Sequence, residues 1–146
     1  RRGLSDSFEL MTGAGDKTAI ALLLFDLDHF KQINDRYGHQ TGDWVLQQAA
    51  TAAQQCLRKS DAIGRIGGEE FLLVLPHTSR ADAFLVAEKI RSQFQQQRFI
   101  ATAPEYAVTA SFGIALCDHA EDFNQAVKQA DQQLYLSKRN GRNQVS

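Results

Sequence analysis

At 146 residues, 43% hydrophobic and 23% charged, the chain suits one compact domain spanning 1–146 with an adequate core. A formal net charge of −1 gives neither nucleic acid nor a membrane surface anything to hold, so neither partner is expected. Cys56 and Cys117 lack the paired spacing of a zinc site or a disulfide framework. No apolar run reaches transmembrane length, and the start lacks a signal-peptide pattern, which points to a cytoplasmic domain without direct membrane contact.

In chain order the pattern reads as a short helix, a strand, helices, a two-strand hairpin, a helix, a strand and a final helix. Ala19 to Phe25 is an unbroken apolar run, too short for a globular helix and suited to a strand buried on both faces. Asp26 and Asp28 follow at its carboxyl end, where open sheets place ligands. The two carboxylates are expected to point to opposite sides. That leaves Asp26 as the ligand of a hard cation, the Leu27 carbonyl as a neutral ligand, and Lys31 near the phosphates such a cation brings. Asp43 reads as an N-terminal helix cap. Beyond it Val45, Ala49, Ala52 and Cys56 recur at helical spacing, with Leu46, Ala50, Ala53 and Leu57 widening the stripe.

Two strand-like runs, ending at Ile66 and opening at Phe71, flank Gly67-Gly68 and read as a hairpin, since glycine adopts positive φ without strain. Bare backbone there lets a bulky ligand approach closely, and Glu69 and Glu70 beside it can hold a divalent cation. Ser79 opens the next helix with Asp82 three residues on, close to a capping box; its buried face is Ala83, Val86, Ala87, Ile90 and Phe94. Val108, Ala110, Phe112 and Ile114 alternate as a strand packed on one face. Phe123, Val127, Ala130 and Leu134 mark a last helix that Gly141 should terminate. The fold class expected is α/β (α+β), a mixed sheet of about five strands flanked by helices.

Gly67-Gly68-Glu69-Glu70-Phe71 resembles the GG(D/E)EF signature of the GGDEF family of diguanylate cyclases. The stretch Phe25-Asp26-Leu27-Asp28-His29-Phe30-Lys31 through Asn34, Gly38-His39 and Gly42-Asp43 follows the family's first motif. Ser111-Phe112-Gly113 and the run from Asp131 through Leu134-Tyr135, Lys138 and Gly141-Arg142-Asn143 resemble its later ones. The resemblance implies a palm-like relative of the ferredoxin-like fold. It also implies condensation of two GTP into cyclic di-GMP with release of two pyrophosphates.

What the resemblance implies for the site can be stated residue by residue. Asp26, Leu27, Glu69 and Glu70 hold magnesium, with manganese as the alternative. Glu69 helps remove the proton of the attacking hydroxyl, and Lys31 and Glu70 support catalysis. The Phe30 amide, Lys31, Lys138 and Arg142 bind the triphosphate, Gly67 and Gly68 admit the nucleotide, and Asn34 and Asp43 read guanine. His39 touches the nucleotide or braces its loop. Arg58 and Asp61, in an RxxD pattern just ahead of Gly67, stand where relatives carry a product-inhibition site, with Lys89 or Arg91 completing it.

Symmetry adds a partner. Two linkages between two nucleotides need a second, identical half-site, so turnover requires a homodimer. The opening Arg1-Arg2-Gly3-Leu4 resembles the point where the family's catalytic domain follows an upstream region. A longer protein with an N-terminal sensor or dimerising segment, able to carry a membrane anchor, is therefore expected, and the domain alone should be mostly monomeric. Two other readings stand against the enzyme: a catalytically silent GGDEF domain acting as a receptor for GTP or cyclic di-GMP, and a plain interaction module.

Overall fold

The computed structural model describes residues 19–146, so the expected opening helix lies outside the described residues. β1 (Ile20–Leu27) is buried along its whole length, as its apolar run requires. It is followed by α1 (Phe30–Tyr37) and α2 (His39–Gln55), then the hairpin β2 (Ala62–Arg65) and β3 (Glu70–Pro76). α3 (Arg80–Gln96), β4 (Ala110–Cys117), a 3₁₀ turn at Ala120–Asp122 and α4 (Phe123–Arg139) complete the order.

The class is α+β, and the sheet differs from expectation in its ladders. Four strands run in the order β2-β3-β1-β4, and all three pairings are antiparallel. Each helical crossover does join strands of the same direction, β1 to β2 and β3 to β4. A third strand is inserted between the partners each time, so no long parallel ladder forms; this is a split βαβ arrangement. The residues between α3 and β4 make turns, burying Phe99, Ile100, Ala103 and Val108 as plugs. β4 therefore starts at Ala110, after Val108, and it is buried on both faces because α4 covers the side expected to be open. The parallel contribution comes from the chain end, where Val145 bridges Phe112.

Helices α1, α2 and α3 cover one face over Ala21, Leu23, Phe25, Leu73 and Leu75. α4 covers the other through Phe123, Ala126, Ala130 and Leu134, packed on Ile20, Leu22, Leu24, Leu72 and Val74. Local signals hold where they are short-range. Ser79 accepts from the Asp82 amide, and α3 buries Ala83, Ala87, Ile90 and Phe94, with Val86 half-buried. α4 closes at Gly141 (φ 116°), with the Arg142 amide donating to the Ser137 carbonyl at 2.9 Å in a Schellman closure.

One cap is corrected. α2 starts at His39, so Asp43 lies within the helix and caps nothing. Gly38 alone turns α1 into α2, at φ 93° and ψ 160°, a region that essentially only glycine occupies, and this moves the cap from Asp43 to Gly38. Both cysteines are free; Cys117 is buried, and Cys56 packs half-buried with its thiol on the Ala52 carbonyl. No helix among the described residues is long and apolar enough to cross a membrane.

Candidate functional site

A row of phenylalanines sets the register that builds the site. Phe25 pairs with Phe71 on one side and Phe112 on the other, with ring centroids 5.0 and 5.2 Å apart. One residue on, the same register places Asp26 opposite Glu70 and Ser111. Directly opposed residues share a face with Cβ atoms about 5 Å apart, so a slip of one residue would separate the two carboxylates. The Phe25 side is sealed by α1–α3, which turns Asp26 and Glu70 toward α4.

Asp26 is 3% exposed. One oxygen accepts from the Lys138 ammonium, 112 residues away on the last turn of α4; the other, Oδ1, is buried without a hydrogen-bond partner among the described residues. Its carboxyl is raised from 3.8 to about 6: burial is the main cause, the Lys138 ammonium opposes it, and the Asp28 and Glu70 carboxylates add to it. A buried, half-satisfied carboxylate of this kind is costly unless a cation completes it.

Asp28 does not diverge from Asp26 as expected. Residues two apart on a strand share a face, and Asp28 receives the hydroxyl of Ser111, the cross-strand neighbour of Asp26, at 2.7 Å. What separates the two is engagement. Asp28 also accepts from the Thr109 hydroxyl at 2.7 Å and the Asn143 amide at 3.0 Å, so both of its oxygens have partners, unlike those of Asp26.

Gly67 and Gly68 are not at positive φ, contrary to the hairpin reasoning. The turn closes through the Ile66 amide on the Glu70 carbonyl at 3.0 Å, and Arg65 braces it by donating to the Gly67 and Gly68 carbonyls. Among the described residues, a Cβ on Gly68 would meet nothing within 4 Å. The missing side chain thus leaves open approach to the backbone. Glu69 is half-buried on this turn, immediately before Glu70.

The third wall is the start of α1. His29 sits in the left-handed region (φ 57°, ψ 34°), and the helix has neither a side-chain cap nor an acid in its first turn. Its leading amides, including that of Phe30, and the exposed Lys31 therefore present positive charge without internal compensation. Leu27, the last residue of β1, leads into this turn. Asn34 lies over Gly42: a Cβ there would sit 1.8 Å from Asn34 Oδ1. Asp43 follows on the exposed face, and His39 is exposed at the start of α2.

Further residues hold these parts without having been singled out by pattern. Ser137, fully buried, donates to the Phe112 carbonyl and ties the Lys138 turn to β4. Its signal was a hydroxyl three residues beyond Leu134 on the apolar stripe. Arg142 and Asn143 both take left-handed φ, 65° and 48°, costing about 1 kcal/mol or more each unless the surroundings impose it. Arg142 is exposed.

The RxxD residues form a separate cluster. Arg58 forks onto Asp61 (Nη2 to Oδ1 2.8 Å, Nε to Oδ2 3.2 Å) and also reaches the Pro76 carbonyl and Thr78 hydroxyl. An open groove of about 400 Å³ runs along Gln54, Leu57, Arg58, Asp61 and Ile63. Lys89 lies near enough to Cys56, at the adjoining end of α2, to oppose the burial that raises that thiol. Arg91 is engaged elsewhere, with Glu88 and Asn143.

Among the described residues no three His, Cys, Asp or Glu side chains gather closely enough to hold a metal alone. The donors at the strand end are nonetheless hard oxygens with one unfilled buried position. That suits an ion such as magnesium, which takes one or two carboxylates and completes its shell with phosphates and water.

Comparison with known proteins identifies the family. The family described as "Diguanylate cyclase, GGDEF domain" matches residues 1–144. Diguanylate cyclase A of Treponema denticola is 40% identical over 131 residues, covering 89% of this chain and 35% of that protein; the chain thus spans about a third of its relative's length. The active GGEEF domain of a diguanylate cyclase from Vibrio cholerae superposes with a TM-score of 0.89 at 34% identity, covering 99% of this chain and 94% of that one. The GGDEF domain of DgcB from Caulobacter crescentus, in complex with c-di-GMP, gives 0.87 at 32% identity, covering 99% and 85%.

Proposed function

Because the chain belongs to the GGDEF family of diguanylate cyclases, we propose that it joins two GTP molecules into cyclic di-GMP, releasing two pyrophosphates. The observation that carries this is the buried Asp26 Oδ1 at the end of the central strand, without a hydrogen-bond partner among the described residues, with Glu70 opposite and Lys138 on its other oxygen. Asp26, the Leu27 carbonyl, Glu69 and Glu70 would hold magnesium or manganese. When bound, the ion supplies charge neutralisation at the phosphates and a lower pKa for the attacking hydroxyl.

The rest is positioning by this chain. The α1 amides, Lys31 and Arg142 bind the triphosphate. Lys138, held on Asp26 at the last turn of α4, would reach the same phosphates. Asn34 and Asp43 hold the guanine edge, with the Asp43 carboxylate accepting from its donors. Glu69, on the open Gly67-Gly68 turn, takes the proton of the ribose 3′-hydroxyl as that oxygen attacks the α-phosphate held by the facing half-site. Two such half-sites across a two-fold axis form both linkages. An N-terminal region that raises the local concentration of the domain fits this requirement. Arg58 and Asp61, with Lys89 alongside, form the product-binding inhibitory cluster.

Incubating the domain, fused to an inducible dimeriser, with GTP and Mg²⁺ and separating the products tests the reading. Cyclic di-GMP from wild type and none from Glu69→Ala is the expected result. Binding without turnover would instead mean a receptor, and no binding an interaction module.

Gly42→Ala probes guanine recognition. The new methyl would stand 1.8 Å from Asn34 Oδ1 and 2.9 Å from its Cγ, so that one short side chain must move, and 3.2 Å from Phe30 Cζ. Stability is expected to change by less than about 1 kcal/mol while KM for GTP rises about tenfold, the worth of one substrate hydrogen bond. An unchanged KM would remove Asn34 from the guanine site.

A further inference from the structure

We propose that Asp28 is a positioning residue: it fixes the Arg142–Asn143 turn and thereby aims Arg142 at the nucleotide phosphates. The proposal rests on the reading of Arg142 as a phosphate ligand. Asp28 is 5% exposed and spends its lone pairs on three elements: Thr109 just before β4, Ser111 within it, and the Asn143 amide beyond α4. The last of these lies 115 residues away in sequence. Asn143 is held from a second side by Arg91 of α3, whose Nη1 donates to its Oδ1 at 3.2 Å.

Two consecutive non-glycine residues in the left-handed region do not stay there on their own preference. The two anchors on Asn143, with the Arg142 amide on Ser137, over-determine the turn. Where Arg142 leaves the backbone is set by that conformation. Asp28 therefore acts on the phosphates through Arg142, while its neighbour Asp26 keeps an oxygen free for the cation.

The test is calorimetric titration of the chain with the α,β-methylene analogue of GTP and Mg²⁺, in which the transferring bond does not break. Arg142→Ala and Asp28→Ala are each expected to weaken binding about tenfold or more. Their combination should be no weaker than Arg142→Ala alone, since one acts through the other. Asp28→Asn should stay within about threefold of wild type: its carbonyl oxygen still accepts from Thr109 and Asn143, and its amide donates to the Ser111 hydroxyl.

Additive losses, or an Asp28→Asn as impaired as Asp28→Ala, would overturn the positioning role in favour of a direct charge or ion contact. An Arg142→Ala that binds normally would instead remove the phosphate reading, and the proposal with it. Should Asp28→Ala not fold, Asp28→Ser, whose hydroxyl is too short to reach the Asn143 amide, loosens the same turn. Weaker binding that is non-additive with Arg142→Ala supports the assignment, and unchanged affinity overturns it.

Discussion

Asp26→Asn is expected to make no cyclic dinucleotide and to unfold at a higher temperature than wild type at pH 7.5. The loss would follow from removing the carboxylate proposed to hold the cation. Several kcal/mol of transition-state stabilisation correspond to about 10³-fold or more in rate. The gain in stability follows from burial. In the folded, ligand-free domain the Asp26 carboxyl is raised from 3.8 to about 6 despite Lys138, so ionising it opposes folding. A shift of that size is worth about 1–3 kcal/mol, or roughly 3–8 °C in a domain this large.

The pH dependence carries the sign. A group that binds its proton more tightly when folded adds stability below its unfolded pKa and loses it as pH rises through the folded value. The variant's advantage should therefore vanish below about pH 4, grow up to about pH 6 and stay level above. Thermal melts of both proteins across that range check it. A variant melting at or below wild type throughout would mean that Asp26 is not a strained carboxylate awaiting a cation. Such a trade of stability for function is common at sites that bind charge.

Gly113→Ala is expected to cost about 3–5 kcal/mol, the upper end for a single added methyl. Its Cβ would stand 2.2 Å from the Ala130 carbonyl oxygen and 2.3 Å from the Leu134 amide nitrogen, both backbone atoms of α4. No side-chain rotation relieves that contact. Either α4 lifts from β4, opening the layer over Leu24, Val74 and Ala115, or β4 bends away from β1. Urea unfolding should show a lower midpoint with an unchanged m, and binding of the GTP analogue should weaken because Lys138 rides on the same helix. A midpoint shift worth less than about 1 kcal/mol would contradict the close approach of helix and strand.

How much of this was legible in the residues depends on the range of each interaction. The apolar run before Asp26, the Ser79–Asp82 cap and the Gly141 stop are decided by sterics and hydrogen bonds within a few residues. All three appear as read. The hairpin was also legible, though for the wrong reason: Gly67 and Gly68 leave the backbone open, while the positive φ sits at Gly38. Asp43 misled because a good cap residue falls four residues inside a helix whose start is dictated by that Gly38 corner.

The sequence by itself determined the chemical inventory and the family: two carboxylates after a buried strand, two more after a glycine pair, and basic residues near a late helix end. Tertiary structure alone decided which of them meet. The Phe25, Phe71 and Phe112 row sets Asp26 against Glu70, and the close seat of α4 on Gly113 brings Lys138 to Asp26. Insertion of β3 between β2 and β1, and of β1 between β3 and β4, turned an expected mixed sheet into an antiparallel one, and hydrogen bonds on both oxygens set Asp28 apart from Asp26. These outcomes turn on burial and pairing between segments up to 115 residues apart, where local propensity carries no information.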